Sequence, residues 1–385
     1  MINSEILEVR KQFKHENCTI TKVSGCYVDG EKTIKTKFTE SFLCMPEEET
    51  FKYFEIFKKT LSGTVGKNIM NMEFPISAEF NGGTQECLLR LRDSELKDDI
   101  LIDEFFEKVV QLYDHVGSYL ILLLFAAYDV PGKTKDKILM DDASEEVYRY
   151  ILCSISPVNL SKPGLCYDTD SNQIQKRIQD WVVAAPNNGF LFPAFNDRSA
   201  DIHSVLYYSK DCEELHSDFV NQLLGCEIPM TAGTQKETFQ TLIKETLGED
   251  CDYEIVRNIH EKLNEIIEDH KLQEIAEPLT LDQFEMRNLF TDSGVEEEKL
   301  VDFDKSYEKV AGEKVSLLAS NLASTKVFEV KIPDVIIKVN PERTDLVQTK
   351  MVDGRRCLVI EINDQVEVNG IAVRTSVSSA NNSNE

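Results

Sequence analysis

The segment 119-YLILLLFAAY-128 is the longest apolar run in the chain. A membrane-spanning helix needs about 20 apolar residues, which this run does not reach. The run is therefore a buried strand or helix segment, and we predict buried strands at 119–130 and 147–155. Such strands need partners, so the flanking segments determine the fold class.

The segments around this run predict a mixture of strands and helices. Asp29-Gly30 supplies the tight turn of a hairpin between strands at 21–28 and 32–38. Pro46 opens a helix whose first turn carries three glutamates, which favour the helix dipole. Further predictions are a strand at 69–74 and helices at 99–113 and 173–183.

The pattern changes twice in the second half of the chain. After residue 212 it predicts helices at 213–224, 234–247, 252–270, 281–290 and 296–310, and Thr280 with Gln283 fits a capping box. After residue 324 it predicts short strands separated by turns such as Asp353-Gly354. The fold class is therefore α+β, with a mixed strand and helix domain at 1–211, an acidic helical region at 212–312, a small antiparallel β domain at 325–373 and a disordered tail at 376–385.

The composition excludes several classes of protein. The 385 residues include 42 Lys and Arg against 68 Asp and Glu, which gives a net charge of −26. Hydrophobic residues make up 42%, too many for a disordered chain. The charge is uneven, at +1 over residues 1–67, −12 over 235–310 and zero over 325–375. The acidic excess therefore restricts where a polyanion could bind, without deciding whether one does.

The ends and the cysteines predict a cytoplasmic protein. Charged residues interrupt the N-terminal segment, which therefore does not resemble a secretory signal. The ten cysteines include no Cys-x-x-Cys pair and are expected to be reduced. We expect no membrane partner, no metal and no cofactor, and homo-oligomerisation stays open.

The segment 196–203 carries the most chemistry-bearing side chains. Asp197 or Asp201 could orient His203 for catalysis, and Arg198 could hold an anion. The favoured alternative is a loop whose polar side chains bond its own backbone. These four residues are therefore weak catalytic candidates. Because neither H-E-x-x-H nor G-x-S-x-G occurs, the sequence leans against an enzyme.

Lys32, Lys35 and Lys37 lie on the second strand of the predicted hairpin. Lys35 and Lys37 share a face at the two-residue period of a strand. A solvated or edge-protecting strand explains them. The alternative is a surface that contacts nucleic-acid phosphates.

Five runs carry a resemblance to a known family. They are 16-ENCTIT-21, 25-GCYVDGEK-32, 61-LSGTVGKN-68, 189-GFLFPAFNDRS-199 and 235-QKETFQT-241. Over about residues 1–373 the chain resembles a bacterial family known only as domain of unknown function 4317. The resemblance implies no activity, substrate or catalytic residue.

A second resemblance concerns the order of elements alone. A strand pair, a helix opened by proline, two apolar strands, a helical segment and closing strands are similar to those of NdpA-type nucleoid-associated proteins. This resemblance implies a chromosome-associated protein without known catalysis, with DNA or nucleoid proteins as partners. Our hypothesis is therefore a non-catalytic, nucleoid-associated-like binding protein. The alternatives are a ligand-binding or enzymatic protein that uses the 196–203 loop, and an interaction adaptor that uses the acidic helical region.

Overall fold

The computed structural model describes residues 1–79, 82–133, 139–324, 326–362, 366–368 and 370–373. Their contacts group into two compact units. The first contains Met1–Gln235 and Ile275–Pro278, and the second contains Lys236–Glu274 and the chain from Leu279 onward. The division at residues 212 and 325 stays a prediction beside this grouping. The predicted disordered tail at 376–385 lies outside the described residues.

The first unit is built on one antiparallel sheet. Its main strands pair in the order β2-β1-β4-β5-β9-β12-β3, and β8 pairs with the far end of β5. These labels follow the chain order of the helices α1 (Asn3–Arg10), α2 (Glu47–Thr60), α3 (Thr84–Asp93) and α4 (Asp99–Leu112), and of the strands β1 (Ile20–Val28), β2 (Ile34–Ser41), β3 (Ile69–Glu73), β4 (Ser118–Lys133), β5 (Leu139–Leu160), β6 (Leu165–Asp168), β7 (Gln173–Lys176), β8 (Trp181–Val183), β9 (Asn188–Phe192), β10 (Ala194–Asn196), β11 (Ser199–Asp201) and β12 (Ser204–Ser209).

The apolar run forms β4, and both of its faces are covered. α1 and α2 pack against one face of the sheet, while α3, α4 and a π-helical turn at Phe219–Leu224 pack against the other. Strands covered on both sides are apolar throughout instead of alternating with polar residues. The β4 side chains accordingly divide between two cores, with Ile121, Leu123 and Phe125 in one and Leu122, Leu124 and Ala126 in the other.

The predicted N-terminal hairpin is confirmed, and its turn is closed by a side chain. β1 and β2 pair antiparallel. Asp29 Oδ1 accepts hydrogen bonds from the backbone amides of Glu31 at 3.0 Å and Thr33 at 2.9 Å. Asp is favoured in turns because its carboxylate can satisfy nearby backbone amides in this way.

The predicted helix at 173–183 is wrong, because this segment forms β7 and β8. Ile174, Ile178 and Trp181 have helical spacing, but the preceding polar turn reverses the chain and pairs β7 with β6. Asn172 takes the left-handed conformation in that turn, with φ of 54°. Local turn chemistry therefore prevails over the apolar period.

The second unit combines helices with short strand pairs. Its apolar core includes Phe239, Ile259, Leu263, Met286 and Phe290, all fully or almost fully buried. Its elements are the helices α5 (Ala232–Leu247, which begins in the first unit), α6 (Tyr253–Leu272), α7 (Gln283–Asp292), α8 (Phe303–Val310) and α9 (Ala319–Leu322), and the strands β13 (Thr280–Leu281), β14 (Leu317–Leu318), β15 (Phe328–Ile332), β16 (Val335–Val339), β17 (Val347–Val352), β18 (Arg355–Ile360), β19 (Val366–Val368) and β20 (Ile371–Val373).

Two predictions concern the second unit, namely its C-terminal strands and a helix capping box. The predicted C-terminal β structure is confirmed as three successive antiparallel hairpins, β15–β16, β17–β18 and β19–β20. The capping box of α7 uses Asp282 and Glu285 instead of Thr280 and Gln283. Thr280 is unavailable as a cap because it pairs with Leu318 in a short strand pair.

Candidate functional site

Arg198 serves an ion pair inside the first unit. Its guanidinium donates to the Glu8 carboxylate at 2.8 Å and to the Pro131 carbonyl at 2.9 Å. The side chains of Arg198 and Glu8 are only 15% and 19% exposed, so this pair is largely shielded from water. Arg198 therefore fastens its loop to α1 and leaves little of its charge for an anion.

The other candidates of the 196–203 loop have separate partners. Asn196 Nδ2 and the His203 backbone amide donate to the two carboxylate oxygens of Asp201, at 2.6 and 3.0 Å. The His203 ring instead lies 2.7 Å from Glu79, and that carboxylate raises the pKa of the exposed imidazole. Asp197 occupies the turn between β10 and β11 in the left-handed conformation. Asp201 is therefore bonded within the loop, whereas Arg198 and His203 are bonded to residues outside it, and a catalytic role stays a prediction.

The three hairpin lysines each lie beside an acidic side chain. Lys32 Nζ is 3.5 Å from Asp114, and Lys35 Nζ is 2.7 Å from Asp29. Lys37 Nζ is 2.7 Å from Asp103 of α4. Such pairing reduces the positive potential that would attract a phosphate backbone. Nucleic-acid binding by these lysines stays a prediction.

A cleft of about 760 Å³ lies at one end of the sheet. None of the 196–203 residues lines it, and it meets the hairpin lysines only at Asp114, the partner of Lys32. Three chain segments form it, namely 114–116 before β4, 187–188 at the start of β9, and 209–216 after β12. A second concavity of about 440 Å³ shares four of its residues. Those shared residues are Asp114, Glu213, Glu214 and His216.

Buried hydrogen bonds fix the floor of this cleft. Asn188 is 1% exposed. Its Oδ1 accepts from the Tyr113 hydroxyl at 2.7 Å, and its Nδ2 donates to Tyr207 and Ser209 at 3.0 and 3.2 Å. The Tyr207 hydroxyl in turn donates to the Leu215 carbonyl at 2.9 Å. One amide side chain therefore joins α4, the sheet and the 209–216 loop, and it holds the cleft in one shape.

Two imidazoles of the cleft contact the buried Tyr113 ring. The His115 ring stacks on it with centroids 5.9 Å apart, and the His216 ring lies 4.6 Å away, tilted by 36°. Burial lowers the pKa of both histidines against the opposing effect of Glu214. Since the ordinary pKa of histidine is about 6.5, this shift favours the neutral form of both imidazoles at pH 7. His216 also has a φ of 49°, a left-handed conformation that is uncommon outside glycine.

The cleft is acidic. Asp114, Asp211, Glu213 and Glu214 line it, with Lys210 as the opposing charge. Among these, Glu213 holds the start of α5, because its carboxylate accepts hydrogen bonds from Thr231 at 2.6 Å and the Gly233 amide at 3.0 Å. Glu214 acts electrostatically on both imidazoles. Within the described part of the chain its carboxylate accepts no hydrogen bond, so it can accept one from a ligand.

Sequence reasoning missed this cleft. Its signal is a pair of short polar segments, 114-DH-115 and 211-DCEELH-216, that follow the end of α4 and the end of β12. Each combines carboxylates with a histidine, but about a hundred residues separate them. Only the pairing order of the sheet brings them together.

Together, this fold and cleft define an α+β protein whose antiparallel sheet has helices on both faces and a polar cleft at one end. The family model named Domain of unknown function (DUF4317) matches residues 1–371, and the chain belongs to this family. No curated protein matches the sequence. The resemblance to NdpA-type proteins finds no support in these comparisons.

The described residues contain neither a side-chain group suited to a metal ion nor a helix suited to crossing a membrane. No set of three or more His, Cys, Asp and Glu side chains there is grouped to hold a metal ion. Within the same ranges, every helix falls short of the length and apolarity that crossing a membrane requires.

Proposed function

We propose that this chain is a non-catalytic binding protein whose cleft takes a small organic cation, such as an alkyl diamine or polyamine. The observation that carries the proposal is the Glu214 carboxylate beside two neutral imidazoles, His115 and His216, at the rim of a fixed floor.

The charges that line the cleft determine whether its ligand is a cation or an anion. Four carboxylates and the Lys210 ammonium line the cleft, and Lys32 adds a second ammonium 3.5 Å from Asp114, so the carboxylates stay in excess. Burial favours the neutral form of the two histidines. A concave surface lined by one sign of charge concentrates ligands of the opposite sign. The cleft therefore favours a cation and disfavours a carboxylate or phosphate ligand.

Hydrogen bonding selects an ammonium group. A protonated amine has only donors, and it needs acceptors on the protein. Glu214 offers a carboxylate, and a neutral imidazole offers one ring nitrogen as an acceptor. The cleft volume of about 760 Å³ lies within the range of ordinary ligand sites, roughly 300–1,000 Å³.

A nucleoid-associated role has less support than this proposal. It depends on a basic surface, and Lys32, Lys35 and Lys37 are paired with carboxylates. It therefore stays the prediction that the order of elements implies. A mobility-shift assay with duplex DNA at low salt tests it independently of the cleft.

Isothermal titration calorimetry of the full chain tests the amine proposal. Putrescine and spermidine are titrated at pH 7.5, with glutarate as an anion of similar length and MgCl₂ as an inorganic cation. Site-specific binding gives a stoichiometry of one. Because a hydrogen bond to a charged group contributes about 1.5–3 kcal/mol, Glu214→Gln is expected to weaken amine binding by roughly 10- to 100-fold.

Glu55→Gln is the matched control, since it removes an exposed glutamate from α2 and lies outside the residues that line the cleft. It leaves the affinity unchanged if binding occurs in the cleft. Equal weakening by both variants indicates diffuse attraction to an acidic chain and contradicts the proposal. Preference for glutarate or for Mg²⁺ alone also contradicts it.

A further inference from the structure

Residues 160–183, called the arm, expose an unusual concentration of large apolar side chains. The arm leaves the end of β5, forms the β6–β7 hairpin and returns as β8 along β5. The exposed fractions include 80% for Ile178 and 61% for Trp181. The eight exposed residues are Leu160, Leu165, Tyr167, Ile174, Ile178, Trp181, Val182 and Val183.

The arm is ordered by its own hydrogen bonds. The Ser161 amide donates to the Asp180 carbonyl at 2.8 Å, and the Arg177 amide donates to the Gly164 carbonyl at 2.9 Å. At the tip, Asp168 accepts from the Ser171 hydroxyl at 2.6 Å. The exposed side chains are therefore presented on formed β structure.

The hairpin places its apolar side chains on a shared face. Tyr167 lies directly opposite Ile174 in the β6–β7 register, and Leu165 lies two residues before Tyr167 on the same side. An isolated two-stranded hairpin in water is only marginally stable, and it gains stability when such a face packs on another surface. Contiguous exposed apolar surface of this kind marks interaction sites.

The size of the arm suits a stable interface. Its eight apolar residues, which lie on both faces of the strands, together expose on the order of 1,000 Å², whereas each partner in a standard protein–protein interface buries about 800 Å². Trp and Tyr, both present here, are also enriched among the residues that dominate binding energy. The arm therefore offers enough surface for a specific protein partner.

The charges of the arm favour a second copy of this chain as that partner. The arm carries three cations and three aspartates, so it is neutral within a chain of charge −26. Within the described ranges none of its cations forms an ion pair with another part of the chain. Two copies repel each other over most of their surfaces, but two arms bring equal numbers of opposite charges together. The charged residues are Lys162, Lys176, Arg177, Asp168, Asp170 and Asp180.

An open strand edge adds a geometric reason. In the described sheet β8 pairs with β5 on one side, and its other edge has no strand beside it. Unpaired edges pair readily with another strand. In a two-fold symmetric dimer the same patch meets itself, so β8 can lie antiparallel to β8 of the second copy.

We infer that the chain forms a two-fold symmetric homodimer through the arm. The apolar faces of the two hairpins cover each other, and Trp181 becomes buried near the symmetry axis. This inference is independent of the proposed cleft function, because none of the residues that line the cleft belongs to the arm.

Sedimentation equilibrium combined with tryptophan fluorescence tests the dimer. The chain contains a single Trp, so its emission reports on the arm alone. We expect twice the monomer mass of 43.9 kDa at micromolar concentration, and an emission maximum that moves to longer wavelength on dilution. The paired variant Ile174→Glu/Ile178→Glu adds like charges to both arms and is expected to raise the dimer dissociation constant at least tenfold.

Ile100→Glu is the matched control, because Ile100 is 71% exposed in the first turn of α4, outside the arm. It is expected to leave the mass and the emission shift unchanged. A monomer at every concentration overturns the inference, as does a dimer that the paired variant leaves intact. Circular dichroism of the variants confirms folding, which is expected because the substituted residues are exposed.

Discussion

At the scale of single residues, the polar side chains of the 196–203 loop are held by specific partners. Asp201 accepts two hydrogen bonds within the loop. The partners Glu8 of Arg198 and Glu79 of His203 lie more than a hundred residues away in sequence. Composition identifies which side chains need partners, but only the tertiary fold determines which partners they find.

Arg198→Ala is expected to lower the free energy of unfolding by about 2–4 kcal/mol, because it leaves the shielded Glu8 carboxylate without its cation. Urea denaturation followed by circular dichroism measures this change. Glu8→Gln/Arg198→Met removes both charges and is expected to lower the free energy of unfolding by less. The matched control His203→Ala concerns a ring that is exposed, so a change below about 0.5 kcal/mol is expected. Equal small effects of Arg198→Ala and His203→Ala would show that the ion pair is not structural.

At the scale of elements, strands and helices with a strong apolar pattern were predictable. The run at 119–128 forms the centre of β4, and the Asp29-Gly30 turn joins β1 and β2. The helix predicted at 173–183 failed because apolar spacing alone does not distinguish a helix face from exposed strand residues. An apolar side chain can be exposed on its own chain when another protein covers it. Apolar residues alone therefore do not predict burial within the chain.

The approach of β9 to its neighbours gives an element-scale prediction. A Cβ atom at Gly189 would lie 2.4 Å from both the Cys153 carbonyl of β5 and the Thr60 methyl of α2. Gly189→Ala therefore forces β9 away from β5 and α2. We expect the free energy of unfolding, measured by urea denaturation, to fall by about 1–3 kcal/mol. Gly164→Ala is the control, because a Cβ there meets nothing within 4 Å. If Gly189→Ala leaves the free energy of unfolding unchanged, the packing around β9 can adjust to the added methyl group.

At the scale of the whole molecule, the acidic charge is concentrated in two places. The sequence placed a large share of it in the helical region, and the structure adds a smaller acidic group at the end of the sheet. The cleft could not be predicted, because its three segments come together only through the order of the strands. The proposed binding of an amine beside His115 and His216 depends on the meeting of these three segments.

Histidine-selective NMR of the full chain measures whether an amine binds beside these two rings. The six imidazoles are titrated with and without saturating putrescine, and His115→Gln and His216→Gln assign the two resonances. Burial lowers both pKa values, so both rings should titrate below about 6.5. A bound ammonium disfavours a second positive charge, so putrescine should lower the pKa of both by about half a unit or more, and of no other histidine. Unchanged pKa values of His115 and His216, or equal changes at all six, would contradict the account.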